Sequence, residues 1–211
     1  MPDEDRLRIY LDTLYEAQPA YLESLESEAL SGGVPIIRKD TQRTLRTLLA
    51  MKKPEKILEI GTAVGFSSVL FCTYSEARVV TIENDRGRIP TARRNFQTAG
   101  FAERIRLLEG NAEEVLPGLT DSFDLVFLDA AKGQYLYYLP ELLRLLEPGG
   151  LLLSDNVFIG GDLLESSYFV ERRFRTIHRR MREYLREIIR REGLVTTVLP
   201  VGDGLAVTVK Q

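Results

Sequence analysis

The sequence has one cysteine, Cys72, and one histidine, His178. A lone cysteine cannot form an internal disulfide or a thiolate zinc site, and it leads us to expect a cytoplasmic, reducing home. A lone histidine excludes Ser-His-Asp triads and multi-histidine metal sites other than ones centred on it. No apolar run approaches the roughly 20 residues that span a bilayer, so no membrane partner is expected. The opening MPDEDRLRIYL is charged and lacks the apolar core of a secretory signal. Repeats, low-complexity tracts and long linkers are missing as well.

What is present is an ordinary soluble composition. The chain has 211 residues, 44% hydrophobic and 28% charged, which suits one domain over 1–211. Its net charge of −3 hides an asymmetry. Residues 171–191, ERRFRTIHRRMREYLREIIRR, carry nine Arg against three Glu, so this stretch is +6 and the remainder −9. Such a split can mark a polyanion partner.

Residues 1–53 read as a helical extension. Leu7, Leu11, Leu14, Tyr15, Tyr21, Leu22, Leu25 and Leu30 recur at helical spacing until Gly32-Gly33. A third helix is expected over 40–51. From residue 54 the pattern changes. Short apolar runs at 56–60, 79–83, 105–110, 123–129 and 151–156 alternate with helical stretches at 66–76, 86–99, 111–117 and 134–146. Strands spaced by helices imply right-handed βαβ units and a parallel sheet. A long helix is expected over 166–192, followed by an antiparallel hairpin of 194–200 and 204–210. The fold class is therefore α/β: a doubly wound, Rossmann-like, seven-stranded sheet with a C-terminal antiparallel hairpin and N-terminal helices.

In such sheets ligands bind beyond the carboxyl ends of the strands. The first turn is EIGTAVGFSS, residues 59–68. The dinucleotide fingerprint G-x-G-x-x-G is absent, because Ala63 stands where a pyrophosphate would press on the backbone. Glu83 ends the second strand 22 residues after Gly61 and can accept both ribose hydroxyls. Asn111, at the third strand end, can bond an adenine edge. A nucleoside site without a phosphate cradle points to S-adenosylmethionine, with Glu59 facing its cationic amino-acid end. A turn glycine in any βα unit is the plainer reading of the loop taken alone.

The fourth and fifth strand ends give FLDAAKGQY (127–135) and Asp155-Asn156. Asp129, Asp155 and Asn156 offer only oxygen donors, which suits Mg²⁺, Mn²⁺ or Ca²⁺. Lys132, near two acids and a metal, can take the proton of an acceptor hydroxyl. The resulting oxyanion would attack the sulfonium methyl in line. The plainer readings are an Asx turn at 155–156 and a surface Asp–Lys pair at 129–132.

The basic helix is expected to bury Phe174, Ile177, Met181, Leu185 and Ile188 and to show Arg172, Arg175, Arg179, Arg182, Arg186 and Arg190 on a face free of acids. That stripe reads as a phosphate-tracking surface for RNA. Its plainer reading is a solvated amphipathic helix, with arginines paired to acids elsewhere or across a dimer. His178 reads as a packing or surface residue.

At these residues the chain resembles the metal-dependent O-methyltransferases, the group of caffeoyl-CoA and catechol O-methyltransferases. EIGTAVGFSS, the acid at Glu83, D-x-x-K at 129–132 and Asp155-Asn156 carry the resemblance, which covers about residues 30–211. It implies Asp129, Asp155 and Asn156 as metal ligands and Lys132 as base. It also implies cofactor contacts at Ile37, Glu59, Gly61, Ser67, Glu83, Asn111, Ala112 and Asp129. Members are commonly homodimers. Two departures stand out: Asn111-Ala112 where Asp-Ala is usual, and D-A-A-K where the plant caffeoyl-CoA enzymes carry D-A-D-K. The strings DAAKGQY and GVPI (33–36), with the basic stretch, look most like a bacterial branch that methylates 5-hydroxyuridine at the tRNA anticodon wobble position, giving 5-methoxyuridine. The resemblance thus implies tRNA as partner, through its anticodon stem-loop. A small-molecule catechol-type acceptor is the alternative enzyme, and a cofactor-binding module without catalysis is the alternative class.

Overall fold

The computed structural model describes residues 4–211. Three N-terminal helices, α1 (Glu4–Thr13), α2 (Ala20–Ser31) and α3 (Lys39–Lys52), precede the sheet. Five βα steps then follow: β1 (Lys56–Ile60), α4 (Phe66–Tyr74), β2 (Arg78–Glu83), α5 (Ile89–Thr98), β3 (Ile105–Glu109), the short α6 (Ala112–Val115), β4 (Phe123–Leu128), α7 (Tyr135–Leu145), β5 (Leu146–Ser154) and α8 (Arg175–Arg190). The hairpin β6 (Leu194–Leu199) and β7 (Leu205–Lys210) closes the sheet. The strand order is β3-β2-β1-β4-β5-β7-β6. The first five strands are parallel, and β7 runs antiparallel between β5 and β6. This is the doubly wound seven-stranded sheet expected from the sequence.

Alternation along the strands sorts the core into two layers. Ile57, Leu125, Phe127 and Leu153 pack with α2, α3, α4 and α5 through residues such as Leu22, Leu45, Leu70 and Phe96. Leu58, Ile60, Val126, Leu128 and Leu152 pack with α7 and α8 through Leu139, Leu142, Met181 and Tyr184. Because β1 and β4 are neighbours, helices diverge to opposite faces there, and a crevice opens at their carboxyl ends. Cys72 is buried and its thiol is pushed up to about 12, mainly by burial.

One expected element differs. The helix expected over 166–192 begins only at Arg175. The preceding segment forms a 3₁₀ stretch, Ile159–Leu164, and then turns. Its backbone carbonyls are taken by side chains of α8 instead. Arg182 donates to Leu163 O and Glu165 O at 2.7 Å each, and Arg175 to Val170 O at 3.0 Å and Tyr168 O at 3.3 Å. The buried stripe of α8 is also displaced from the one expected. His178, Met181, Tyr184 and Ile188 are buried, while Ile177 and Leu185 are half-buried flanks. Tyr184 can enter the core because its hydroxyl finds Ser154 Oγ at 2.5 Å. Among the described residues no helix is long and apolar enough to cross a membrane.

Candidate active site

The crevice beyond β1–β4 holds a cavity of about 540 Å³, lined among others by Gly61, Glu83, Ala112, Asp129, Lys132 and Asn156. Its floor is the turn from β1 into α4. Gly61 has φ 103°, and a Cβ there would lie 2.1 Å from the carbonyl oxygen of Asp129. Only glycine lets the first turn touch the end of β4. Across the turn, the Ala63 N–H donates to Glu83 Oε2 at 2.7 Å. Glu83 Oε1 accepts the Asn84 and Asp85 N–H groups at 2.9 Å each. The carboxylate is thereby fixed at the cavity wall, where it can meet a ribose.

Some expected cofactor contacts lie behind this wall. Glu59 is fully buried, because Ile57 and Glu59 share the face turned to α4 while Leu58 and Ile60 take the other. Its Oε1 accepts from the Ser67 hydroxyl, and its Oε2 from the hydroxyls of Ser68 and Thr81. Burial raises its pKa from 4.5 to about 7 against the lowering effect of those three hydroxyls. Glu59 and Ser67 are therefore not free to face a cationic ligand end in this state. The Ile37 side chain is buried with the α2–α5 layer, and its neighbours Pro35, Ile36 and Arg38 line the cavity instead. Asn111 is exposed at the rim, where its Oδ1 accepts from Asn84 Nδ2 at 2.7 Å, while Gly110 and Ala112 form the wall beside it.

The fourth and fifth strand ends converge as expected. The Lys132 ammonium donates to Asp129 Oδ1 at 2.7 Å and to Asn156 Oδ1 at 3.1 Å. Asp155 is 1% exposed, and its Oδ1 accepts the Asn156 N–H at 2.8 Å. Burial, with the nearby Asp129 charge, pushes the Asp155 carboxyl up to about 7. Its second oxygen, Oδ2, is buried with no hydrogen-bond partner. Native proteins rarely leave such an atom unpaired. Asn156 sits in the left-handed region at φ 54°, a conformation asparagine adopts more readily than other side-chain-bearing residues. Two carboxylates and an amide oxygen, one carboxylate oxygen unpaired, form a donor set for a hard divalent cation. Among the described residues there is no cluster of three or more His, Cys, Asp or Glu that could hold a metal, so this set would supply at most part of an ion's shell.

Tyr135 was not singled out from the sequence, although it closes the motif FLDAAKGQY. It is fully buried, and its hydroxyl accepts from Lys132 at 2.9 Å. Its spacing of three from Lys132 is the signal in the sequence that could pair the two. Burial and the charges of Asp129 and Asp155 hold its hydroxyl neutral. Asp203, from the β6–β7 turn, also lines the cavity and holds the loop after Asn156 by accepting the Gly160 N–H at 2.7 Å.

The arginines stand apart from this cavity. Arg175, Arg179, Arg182 and Arg186 line a separate surface hollow with Ser167, Thr176 and His178. Arg172 lies outside α8, in the turn before it. The face is not free of acids, since Arg179 pairs with Glu183 at 3.3 Å. His178 is buried, with Nε2 at 3.2 Å from Glu165 O, in a packing role.

Comparison with known proteins places this arrangement in a class. The chain belongs to the O-methyltransferase family, whose pattern it matches over residues 15–211, and so to the class I S-adenosylmethionine-dependent O-methyltransferases. It is similar to a catechol O-methyltransferase of Mycobacterium tuberculosis, 35% identical over 172 residues, covering 79% of this chain and 76% of that one. A Staphylococcus aureus protein provisionally named a caffeoyl-CoA O-methyltransferase superposes with a TM-score of 0.89 at 33% identity, covering 96% of this chain and 98% of the other. The Podospora anserina methyltransferase PaMTH1, solved with S-adenosylhomocysteine bound, superposes with a TM-score of 0.87 at 25% identity over 100% of this chain and 97% of that one.

Proposed function

We infer that this protein transfers the methyl group of S-adenosylmethionine, with the help of a divalent cation, to one of two adjacent oxygens on its acceptor. The observation that carries this reading is the meeting of Asp129, Lys132, Asp155 and Asn156 at two neighbouring strand ends, with Asp155 Oδ2 buried and unpartnered. Asp129, Asp155 and Asn156 would hold the ion, which supplies Lewis acidity that lowers the pKa of a hydroxyl placed beside it. Acting as the neutral amine, Lys132 takes the acceptor proton, becomes the ammonium, and then passes that proton to solvent. The acceptor oxygen then bonds the methyl carbon as the sulfur–carbon bond breaks, leaving S-adenosylhomocysteine. Glu83 orients the ribose, and the turn at Gly61 sets the cofactor against the end of β4. Most of the acceleration on this reading comes from positioning and charge.

A small catechol-type phenol is the acceptor that the relatives favour, since three of them are named catechol O-methyltransferases. Its two vicinal hydroxyls match a site that leaves one ion's remaining positions to the acceptor. The second reading is wobble 5-hydroxyuridine in tRNA, whose 5-hydroxyl lies beside a ring carbonyl and forms a similar oxygen pair. The arginine surface of α8 supports it. Arg175 and Arg182 brace the preceding loop, so the cleaner probes are Arg179 and Arg186. Arg179→Glu with Arg186→Glu should leave catechol methylation intact. On the tRNA reading it should abolish 5-methoxyuridine formation, read by mass spectrometry of tRNA nucleosides. An unchanged nucleoside profile would remove the tRNA reading and leave the phenol. Self-association belongs to the same reading, supported by the exposed Leu7, Ile9, Leu11 and Leu14. Sedimentation of the chain with these residues made polar tests it.

A further inference from the structure

An ammonium group has three protons, and Lys132 has found an acceptor for each: Asp129 Oδ1 at 2.7 Å, Tyr135 OH at 2.9 Å and Asn156 Oδ1 at 3.1 Å. Two of these acceptors belong to side chains that would hold the cation. The lysine and the ion therefore compete for Asp129 and Asn156. The third acceptor is different in kind. The Tyr135 hydroxyl donates its own proton to backbone, with Asp155 O at 3.0 Å and Leu128 O at 3.1 Å. These carbonyls close β5 and β4 beside the proposed ligands. Its ring is fully buried and packs edge-on against Tyr184, with centroids 5.5 Å apart. With its proton committed to those carbonyls, its free lone pair serves Lys132.

We propose that Tyr135 is a positioning residue for Lys132. Its hydroxyl, clamped between the carbonyl oxygens of Leu128 and Asp155, gives the lysine a partner outside the ligand set, and so draws it off Asp129 and Asn156 when the cation enters. The inference rests on the metal-assisted reading above. Loss of this hydroxyl leaves Lys132 with only the ligand oxygens to bind, and the ion must then displace it at greater cost.

The test is calorimetric titration of Mn²⁺ alone into metal-free protein, for the wild type, Tyr135→Phe, Lys132→Met and the double variant. Tyr135→Phe should weaken Mn²⁺ binding about tenfold, the low end for residues that support metal ligands. In the Lys132→Met background the same change should have no effect, because the competitor is gone. Tyr184→Phe removes a neighbouring buried hydroxyl that serves Ser154, and should leave Mn²⁺ affinity unchanged. Equal weakening in both lysine and methionine backgrounds would reduce Tyr135 to a structural part and overturn the proposal alone. Unaltered affinity in Tyr135→Phe would do the same. If the wild type takes up no Mn²⁺, the metal-assisted reading falls and the proposal falls with it.

Discussion

Two carboxylates sit near strand ends of one sheet, in similar isolation from water, and they are treated in opposite ways. Glu59 on β1 and Asp155 after β5 are each pushed up to about 7, with burial the largest cause in both. Around Glu59 three hydroxyls supply what solvent would have supplied, and both oxygens are satisfied. Around Asp155 one backbone N–H serves one oxygen, and the other faces no donor. The first arrangement is self-contained and needs no ligand. The second is incomplete, and an incomplete buried carboxylate beside a second acid is where a cation has something to contribute. Similar burial and a similar upward push on the two carboxyls thus say little about role. The count of donors says more.

The largest effect that can break this comparison lies at the incomplete site. Asp155→Ala should lower methyl transfer by more than about 10³-fold, measured with labelled cofactor, because acceptor polarisation and orientation are lost together. Chelator should do the same to the wild type, and full activity in chelator would end the metal reading. Lys132→Met should lower turnover by about 10²-fold, as loss of a general base does, with S-adenosylhomocysteine affinity held. A fall in that affinity with turnover kept would make Lys132 a binding residue.

At the self-contained site the effects move to stability. A folded pKa near 7 against 4.5 means that native Glu59 keeps a proton which the unfolded chain releases across that window. Its contribution to stability therefore falls as pH rises from about 4.5 to about 7, and levels off above. Glu59→Gln has no such proton. Between about pH 5 and pH 8 the stability difference should move on the order of 2 kcal/mol in favour of the variant, read by urea melts at each pH. A constant difference would mean that Glu59 is ionised throughout. The smallest effect is Ser68→Ala, which removes one of three donors and should cost about 1 kcal/mol at pH 8 with turnover near normal.

Sequence periodicity marked the sheet well because it is a local property. Runs such as KILEI and FDLVFLD needed only their own residues to be read as strands, and their polar ends marked the crevice. The meeting of Asp129, Lys132 and Asn156 at neighbouring strand ends was legible for the same reason. Glu59 lies behind the wall with its oxygens on three hydroxyls, because alternation fixes which residues share a face and not which ligand that face meets. The start of α8 was placed too early because the bonds that hold residues 163–170 out of a helix come from Arg175 and Arg182, reaching back along the chain. Tyr135 is not legible as a partner of Lys132, because the sequence does not show where a tyrosine hydroxyl points; its ring is core. Only its oxygen does something further.

Methyl transfer from sulfur to oxygen runs along a line, and its rate depends steeply on the length of that line. Gly61 follows β1 and Asp129 follows β4 on the wall of the crevice, and the missing Cβ of the one lets it rest against the carbonyl of the other. The spacing between these two strand ends is thus gauged by direct backbone contact, with no flexible side chain in between. A single hydrogen in place of a methyl group serves as the shim that sets how closely the two walls of the crevice approach.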